Sequence, residues 1–185
     1  DTQAGYDPRA PLSLDDDARF ADALAAAPRP VRIGWLGDLG GHLPMEPGVL
    51  QVCEQALQRL QAQGCAVEPL ALGTPPEPVW TAWLVWRRVL VASRVAPLLA
   101  LPGARVLLKP EALWEHEQGL GVSAAQFLAA SSQRSAFLQH LLTLFARVDV
   151  LALPAAQVWP FDAALRWPRE IAGRAMDTYH RWMEV

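Results

Sequence analysis

Apolar residues along this chain fall at two different periods, and the switches between them mark its elements. Between about residues 47 and 63, Val49, Val52, Cys53, Ala56, Leu57 and Leu60 recur at three- and four-residue steps, the spacing of one buried stripe on a helix. Pro47 suits the first turn of that helix, and Gly64 suits the left-handed position just past its end. A strand is expected on either side. Residues 31–36 (VRIGWL) place Val31, Ile33 and Trp35 on one face, and residues 65–72 supply the second run. Strand, helix and strand in that order predict a right-handed crossover into a parallel sheet.

Prolines 75, 76 and 78 introduce a long helix expected over 79–96 and closed near Pro97, with a shorter one over 110–118. Ser123 and Gln126 have the spacing of a capping box, in which each side chain satisfies a free backbone N–H. The helix they start should run through Arg147, with Phe127, Leu138, Leu141, Leu142 and Phe145 on its buried side. Residues 148–153 (VDVLAL) form a short, nearly continuous apolar run, as in a strand covered on both faces. The loop 154–167 then leads to a final helix expected from Pro168. At the other end, a proline-punctuated connection over 7–14 precedes an alanine-rich helix reaching about Ala27, with Asp15, Asp16 and Asp17 in its first turn. The pattern contains no internal repeat, low-complexity segment or flexible linker. It predicts an α/β fold, a mixed or mostly parallel sheet with helices packed on it, as a single compact segment over 1–185.

Composition narrows the function more than the fold. Hydrophobic residues make up 52% and charged residues 19% of the 185, and mean hydropathy is +0.11, so most of the chain can bury a core. The net charge of −3 with no basic run argues against nucleic acid as a partner. Cys53 and Cys65 are too few for a disulfide framework and are expected to be reduced thiols. The longest apolar stretch, 89–101, is broken by Arg94 and Pro97 and falls short of the roughly 20 residues a membrane span needs. Residues 1–20 lack the apolar core of a signal peptide, so a cytoplasmic location is expected, with no membrane partner.

Glycines 34, 37, 40 and 41 match neither dinucleotide nor phosphate-loop spacing. The consecutive Glu115, His116 and Glu117 point in different directions around a helix, which fits a solvated face better than a metal site, and no cofactor is implied. Ser131, Ser132 and Ser135 lie inside a helix, where hydroxyls bond back to carbonyls or face water. Trp80, Trp83 and Trp86 recur at helical spacing, with Arg87 one turn beyond Trp83 and within reach of a cation–π contact. Trp159, Phe161, Trp167, Tyr179 and Trp182 add large rings further along. If the two groups converge, they form an apolar wall suited to a small organic ligand. The loop carrying Gln157 follows the 148–153 strand, the place where ligands sit in an open parallel sheet. The candidate ligand-contacting residues are therefore Trp86, Gln157, Trp159, Phe161 and Tyr179.

In order and spacing, several stretches resemble the amidase signature family, whose members hydrolyse carboxylic amides. They are Gly5-Tyr6-Asp7-Pro8-Arg9 through Ser13-Leu14, Arg32-Ile33-Gly34-Trp35 through Asp38-Leu39-Gly40-Gly41, and the helix from Glu46 to Gly64. Lys109-Pro110-Glu111, Asp149-Val150-Leu151, Leu153-Pro154-Ala155-Ala156-Gln157, Pro160-Phe161-Asp162 and Met176-Asp177-Thr178-Tyr179 follow in turn. The resemblance implies part of a larger α/β/α fold, lying after the region that carries the family's two serines and lysine. Lys109 does not match that lysine, so no catalytic residue is assigned. The absence of an initial methionine and the end at Val185 within an apolar run read as cut ends. The expectation is an amidase portion that supplies scaffold and pocket wall for a small-molecule amide and is inactive alone. The alternative is a non-enzymatic binding module using the tryptophan-rich face. A sheet separated from its neighbouring strands should also expose an edge or apolar face prone to self-association.

Overall fold

The computed structural model describes residues 5–10, 12–13, 20–25 and 29–184. The chain divides into two compact units, Asp1–Pro30 and Val31–Val185. In the first unit, a turn is tied by the Asp7 N–H, which donates to Ser13 Oγ at 2.8 Å, and by an Asp7–Arg9 ion pair. Helix α1 spans Phe20–Ala25 and buries none of its residues. Asp15, Asp16, Asp17 and Ala27 lie outside the described residues.

The second unit is built on a three-stranded parallel sheet. Strands β1 (Arg32–Trp35), β2 (Ala66–Pro69) and β3 (Val150–Ala152) lie in the order β2-β1-β3. Arg32 pairs with Ala66, and Ile33 pairs with both Val67 and Val150. Helix α2 (Val49–Ala62) carries the crossover from β1 to β2. Gly34 sits where a Cβ would come within 2.7 Å of the Leu70 side chain, so a larger residue there would force Leu70 to shift within the core over β1. Leu36, Leu70, Leu144 and Val148 form the core against the sheet.

Helix α3 (Pro76–Leu99) begins with proline in its first turn and continues through Pro97, a few residues past the expected stop. A proline so near the end removes only one late hydrogen bond. Helix α4 (Pro110–Leu120) packs on α3, as does helix α5 (Ala124–Phe145), whose Ser123–Gln126 capping box is present on both sides.

Four expectations need correction. No helix forms from Pro168. Instead, β4 (Glu170–Ile171) and β5 (Arg174–Ala175) make an antiparallel hairpin, and a single 3-10 turn covers Arg181–Met183. The two-residue turn places Ala172 and Gly173 at φ 48° and 80°, the left-handed geometry whose twist matches a hairpin. Ile171 is buried there with Val158 and Met176, and that packing outweighs local helix preference.

The stripe on α2 is only partly covered. Val49 and Leu57 are buried, whereas Val52, Ala56 and Leu60 are exposed, because β2 is the main neighbouring element. On α5 the buried positions are Ala130 and Leu144, while Leu138, Leu142 and Phe145 face outward. Among the described residues α5 packs chiefly on α3, and one edge of its wide apolar face remains exposed. Finally, β3 is not covered on both faces. Among the described residues it pairs only with β1, and Val150 is 43% exposed.

Candidate functional site

Beyond the carboxyl ends of the three strands lies an apolar cavity of about 420 Å³. Leu36, Leu72 and Leu153, each just past its strand, form the floor, and Trp80 and Trp83 of α3 with Phe137 of α5 form a wall. Trp80 and Trp83 stack at 4.9 Å, burying the first ring and leaving the second 39% exposed. Among the described residues, the one charged group in the lining is Glu184. Ligands of open α/β sheets sit in this position, which is where the sequence placed its loop candidates.

Glu184 is held from several sides. Its Oε1 accepts from His42 Nε2 at 2.9 Å, which places the ring proton on Nε2, and its Oε2 accepts from Arg181 Nη1 at 2.9 Å. Arg181 Nη2 also donates to both carboxylate oxygens of Glu77 at 2.9 Å. Its guanidinium lies 4.9 Å from the Trp80 ring. Burial acts against the Arg181 charge, but Glu77, Glu184 and Asp177 outweigh it and raise the pKa. His42, Glu77 and Glu184 bring three ligand atoms within 4.8 Å of one another. Arg181 already occupies both carboxylates and supplies the positive charge a metal ion would bring, so the arrangement is an ion-pair cluster.

A second polar group lies behind the tryptophans, and sequence reasoning missed it. Glu115, expected on a solvated face, is 1% exposed. Its Oε1 accepts from Arg87 Nε and His180 Nε2, both at 2.6 Å, and from the Tyr179 hydroxyl at 3.0 Å. Arg87 Nη2 also donates to the Tyr179 oxygen at 2.9 Å. Trp83 stands edge-on to the fully buried His180 at 5.0 Å. Burial alone would push the Glu115 carboxyl up, but donation from His180, Arg87 and Tyr179 holds it below its ordinary value. Tyr179 moves the other way, raised first by burial and then by the facing Glu115 carboxylate. The physical reason Glu115 turns inward is that α4 packs this face on α3, which supplies Arg87, and the C-terminal segment brings His180 to the same oxygen. The available sequence signal was the charged Arg87 within the tryptophan stripe, and its partners Glu115 and Tyr179 came from 28 and 92 residues away.

The five sequence candidates do not meet at one point. Trp86 lies against Phe127 at 4.5 Å, beneath the guanidinium of Arg134 at 4.3 Å, in a groove between α3 and α5. Tyr179 belongs to the Glu115 network. Gln157 is fully buried: its Nε2 donates to the Pro44 carbonyl at 3.1 Å, and its Oε1 accepts from the Glu184 N–H at 3.2 Å. It therefore fixes the backbone of the cavity's one charged residue. Trp159 donates through Nε1 to the Pro47 carbonyl at 2.9 Å, and Phe161 stands edge-on to Trp182 at 5.4 Å. Ser131, Ser132 and Ser135 all donate to helix carbonyls, at 2.7, 3.2 and 3.2 Å, as a helix interior predicts. Arg87 lies 5.4 Å from the Trp83 ring centre, the expected cation–π contact. Among the described residues, no helix is long and apolar enough to cross a membrane.

The parallel β2-β1-β3 sheet, its α2 crossover and the long α3 and α5 over its carboxyl end define an α/β fold of the amidase signature type. A bacterial aryl acylamidase belonging to the amidase signature family matches 97% of this chain and 39% of its own, with TM-score 0.79 and 23% identity. A 6-aminohexanoate cyclic dimer hydrolase solved with its substrate matches 97% of this chain and 40% of its own, with TM-score 0.72 and 16% identity. An amidase matches 85% of this chain and 36% of its own, with TM-score 0.66 and 19% identity. The chain thus spans about two fifths of the length of these structures. No family profile and no curated protein sequence matches it.

Proposed function

We propose that this chain is the scaffold and pocket-wall portion of an amide hydrolase acting on a small carboxylic amide. The observation that carries this reading is the apolar cavity at the carboxyl end of a sheet whose fold is shared with amide-cleaving enzymes. In such a protein, Trp80, Trp83 and the leucines around them hold the apolar part of the substrate and exclude water. Trp86, in the adjoining α3–α5 groove, and Tyr179, in the Glu115 network behind the tryptophans, lie outside this cavity. Gln157, Trp159 and Phe161 brace the loop that carries it, Gln157 through the backbone of Glu184. The nucleophilic hydroxyl and its base come from polypeptide outside this segment. The bonding of Ser131, Ser132 and Ser135 supports this, because an activated hydroxyl needs a neighbouring base rather than a helix carbonyl.

Assay of the chain alone against an aryl amide, together with a fluorophosphonate probe, is expected to show no hydrolysis and no labelling of its six serines. In the full-length gene product, Trp83→Ala is expected to raise KM for an apolar amide several-fold more than it lowers kcat, as loss of ground-state binding requires. Labelling of a serine in this chain, or a full-length product that cleaves no amide, would overturn the proposal. A module that only binds would take up an apolar ligand in both forms and hydrolyse it in neither.

A further inference from the structure

Between helices α3 and α5 lies a groove of about 900 Å³, at the upper end of the roughly 300–1,000 Å³ typical of small-molecule sites. It adjoins the cavity along Val79, Trp83, Phe137 and Leu141, which line both. Away from those shared residues its chemistry changes. Trp86, Leu90 and Leu138 keep it apolar, but the charged groups in its lining are Arg87, Arg94 and Arg134, with no carboxylate among them.

The balance of donors and acceptors in this wall is uneven. Arg87 is neutralised from behind by Glu115. Arg134 lies over the Trp86 ring at 4.3 Å, and among the described residues neither it nor Arg94 has an acidic partner. The buried Nε1–H of Trp86 has no acceptor either. Ser131 and Ser135 direct their protons to helix carbonyls, so among the described residues of this lining their oxygens are the side-chain acceptors set against the arginines. An apolar trough carrying surplus cations and donors complements one kind of small molecule: an apolar body bearing a carboxylate.

We propose that the α3–α5 groove binds an amphiphilic organic acid, its aromatic or aliphatic body against Trp86, Leu90 and Leu138 and its carboxylate on Arg94 and Arg134. The pocket-sized volume favours a small acid over a polypeptide. The inference stands apart from the amide-hydrolase reading, because it concerns binding by this chain itself and requires no chemistry.

Isothermal titration of the chain with 4-phenylbutyrate, and in parallel with 4-phenylbutanol, separates the charge from the apolar body. The acid is expected to bind about tenfold more tightly than the alcohol, as one charge-assisted hydrogen bond provides. That advantage should shrink as salt rises from about 20 to about 500 mM, because the Debye length falls from roughly 20 Å to roughly 4 Å. Arg94→Gln and Arg134→Gln should each bring the acid toward the alcohol's affinity and leave the alcohol unchanged. Leu138→Asp should weaken both ligands. Unchanged circular dichroism and Tm confirm that these exposed positions leave the fold intact. Equal affinity for acid and alcohol, indifference to both arginine substitutions, or binding of an acidic peptide but not of the acid would each overturn the proposal.

Discussion

Replacing Glu115 by glutamine tests whether the buried network behind the tryptophans supports the fold. The substitution keeps the side chain's size and removes its charge. In the native protein, one oxygen receives Arg87 and His180 at 2.6 Å and Tyr179 at 3.0 Å. A hydrogen bond to a charged group contributes about 1.5–3 kcal/mol. The Arg87 side chain is 35% exposed, so solvent screens part of its share. A neutral amide is also easier to bury than a carboxylate, which offsets some of the loss. The net expectation is about 2–3 kcal/mol of stability, or a fall in Tm of roughly 5–10 °C for a chain of this length. Glu115→Ala, which strands Arg87 and His180 beside an empty site, should cost more, about 3–5 kcal/mol.

The readout is urea unfolding followed by tryptophan fluorescence and by far-ultraviolet circular dichroism. The pH dependence supplies an independent sign. Because the folded carboxyl is held below its ordinary value, its contribution is present above the unfolded pKa of about 4.3 and is lost as pH falls through the lower folded value. The gap between wild type and Glu115→Gln should therefore be full at pH 7 and close progressively below about pH 4. A loss under about 0.5 kcal/mol, or a gap that stays constant into acid, would refute the reasoning.

Other positions give sharper local tests. Gly119→Ala places a methyl 2.3 Å from the Arg88 carbonyl oxygen and 2.5 Å from Ala92 Cβ, so separation of α4 from α3 should cost about 1–3 kcal/mol by chemical denaturation. Ser123→Ala removes the N-cap of α5 and should lower stability by about 1 kcal/mol in the same measurement. Gln157→Leu strands the Pro44 carbonyl and the Glu184 N–H, with an expected loss of about 2–4 kcal/mol and a shift in the emission of nearby tryptophans. The open outer edge of β3 and the outward-facing Leu138, Leu142 and Phe145 predict association that grows with concentration in sedimentation velocity. A monomer unchanged into the hundreds of micromolar would contradict that.

What the sequence by itself determined was the local architecture. The α2 spacing, the VRIGWL run and the Ser123–Gln126 box each specify backbone geometry through neighbouring residues and each forms the expected element, while α3 starts at Pro76, ahead of the expected residue 79, and Pro47 precedes α2 rather than opening it. Their order was enough to indicate a parallel sheet. The serine reading was equally local, since a hydroxyl inside a helix meets its own carbonyls. Tertiary structure decided which faces are covered and which charges meet. The α5 stripe was wide enough to pack in more than one rotation, and its contacts with α3 and with the sheet-side core of Leu36, Leu70 and Val148, where Leu144 sits, selected the buried positions. The segment after Pro168 folded as a hairpin because burial of Ile171 outweighed its helical tendency. Glu115, Arg87 and His180 carry no shared motif. Folding brings residues 28 and 65 positions apart onto one carboxylate oxygen, and low-dielectric surroundings turn three ordinary polar side chains into a buried network.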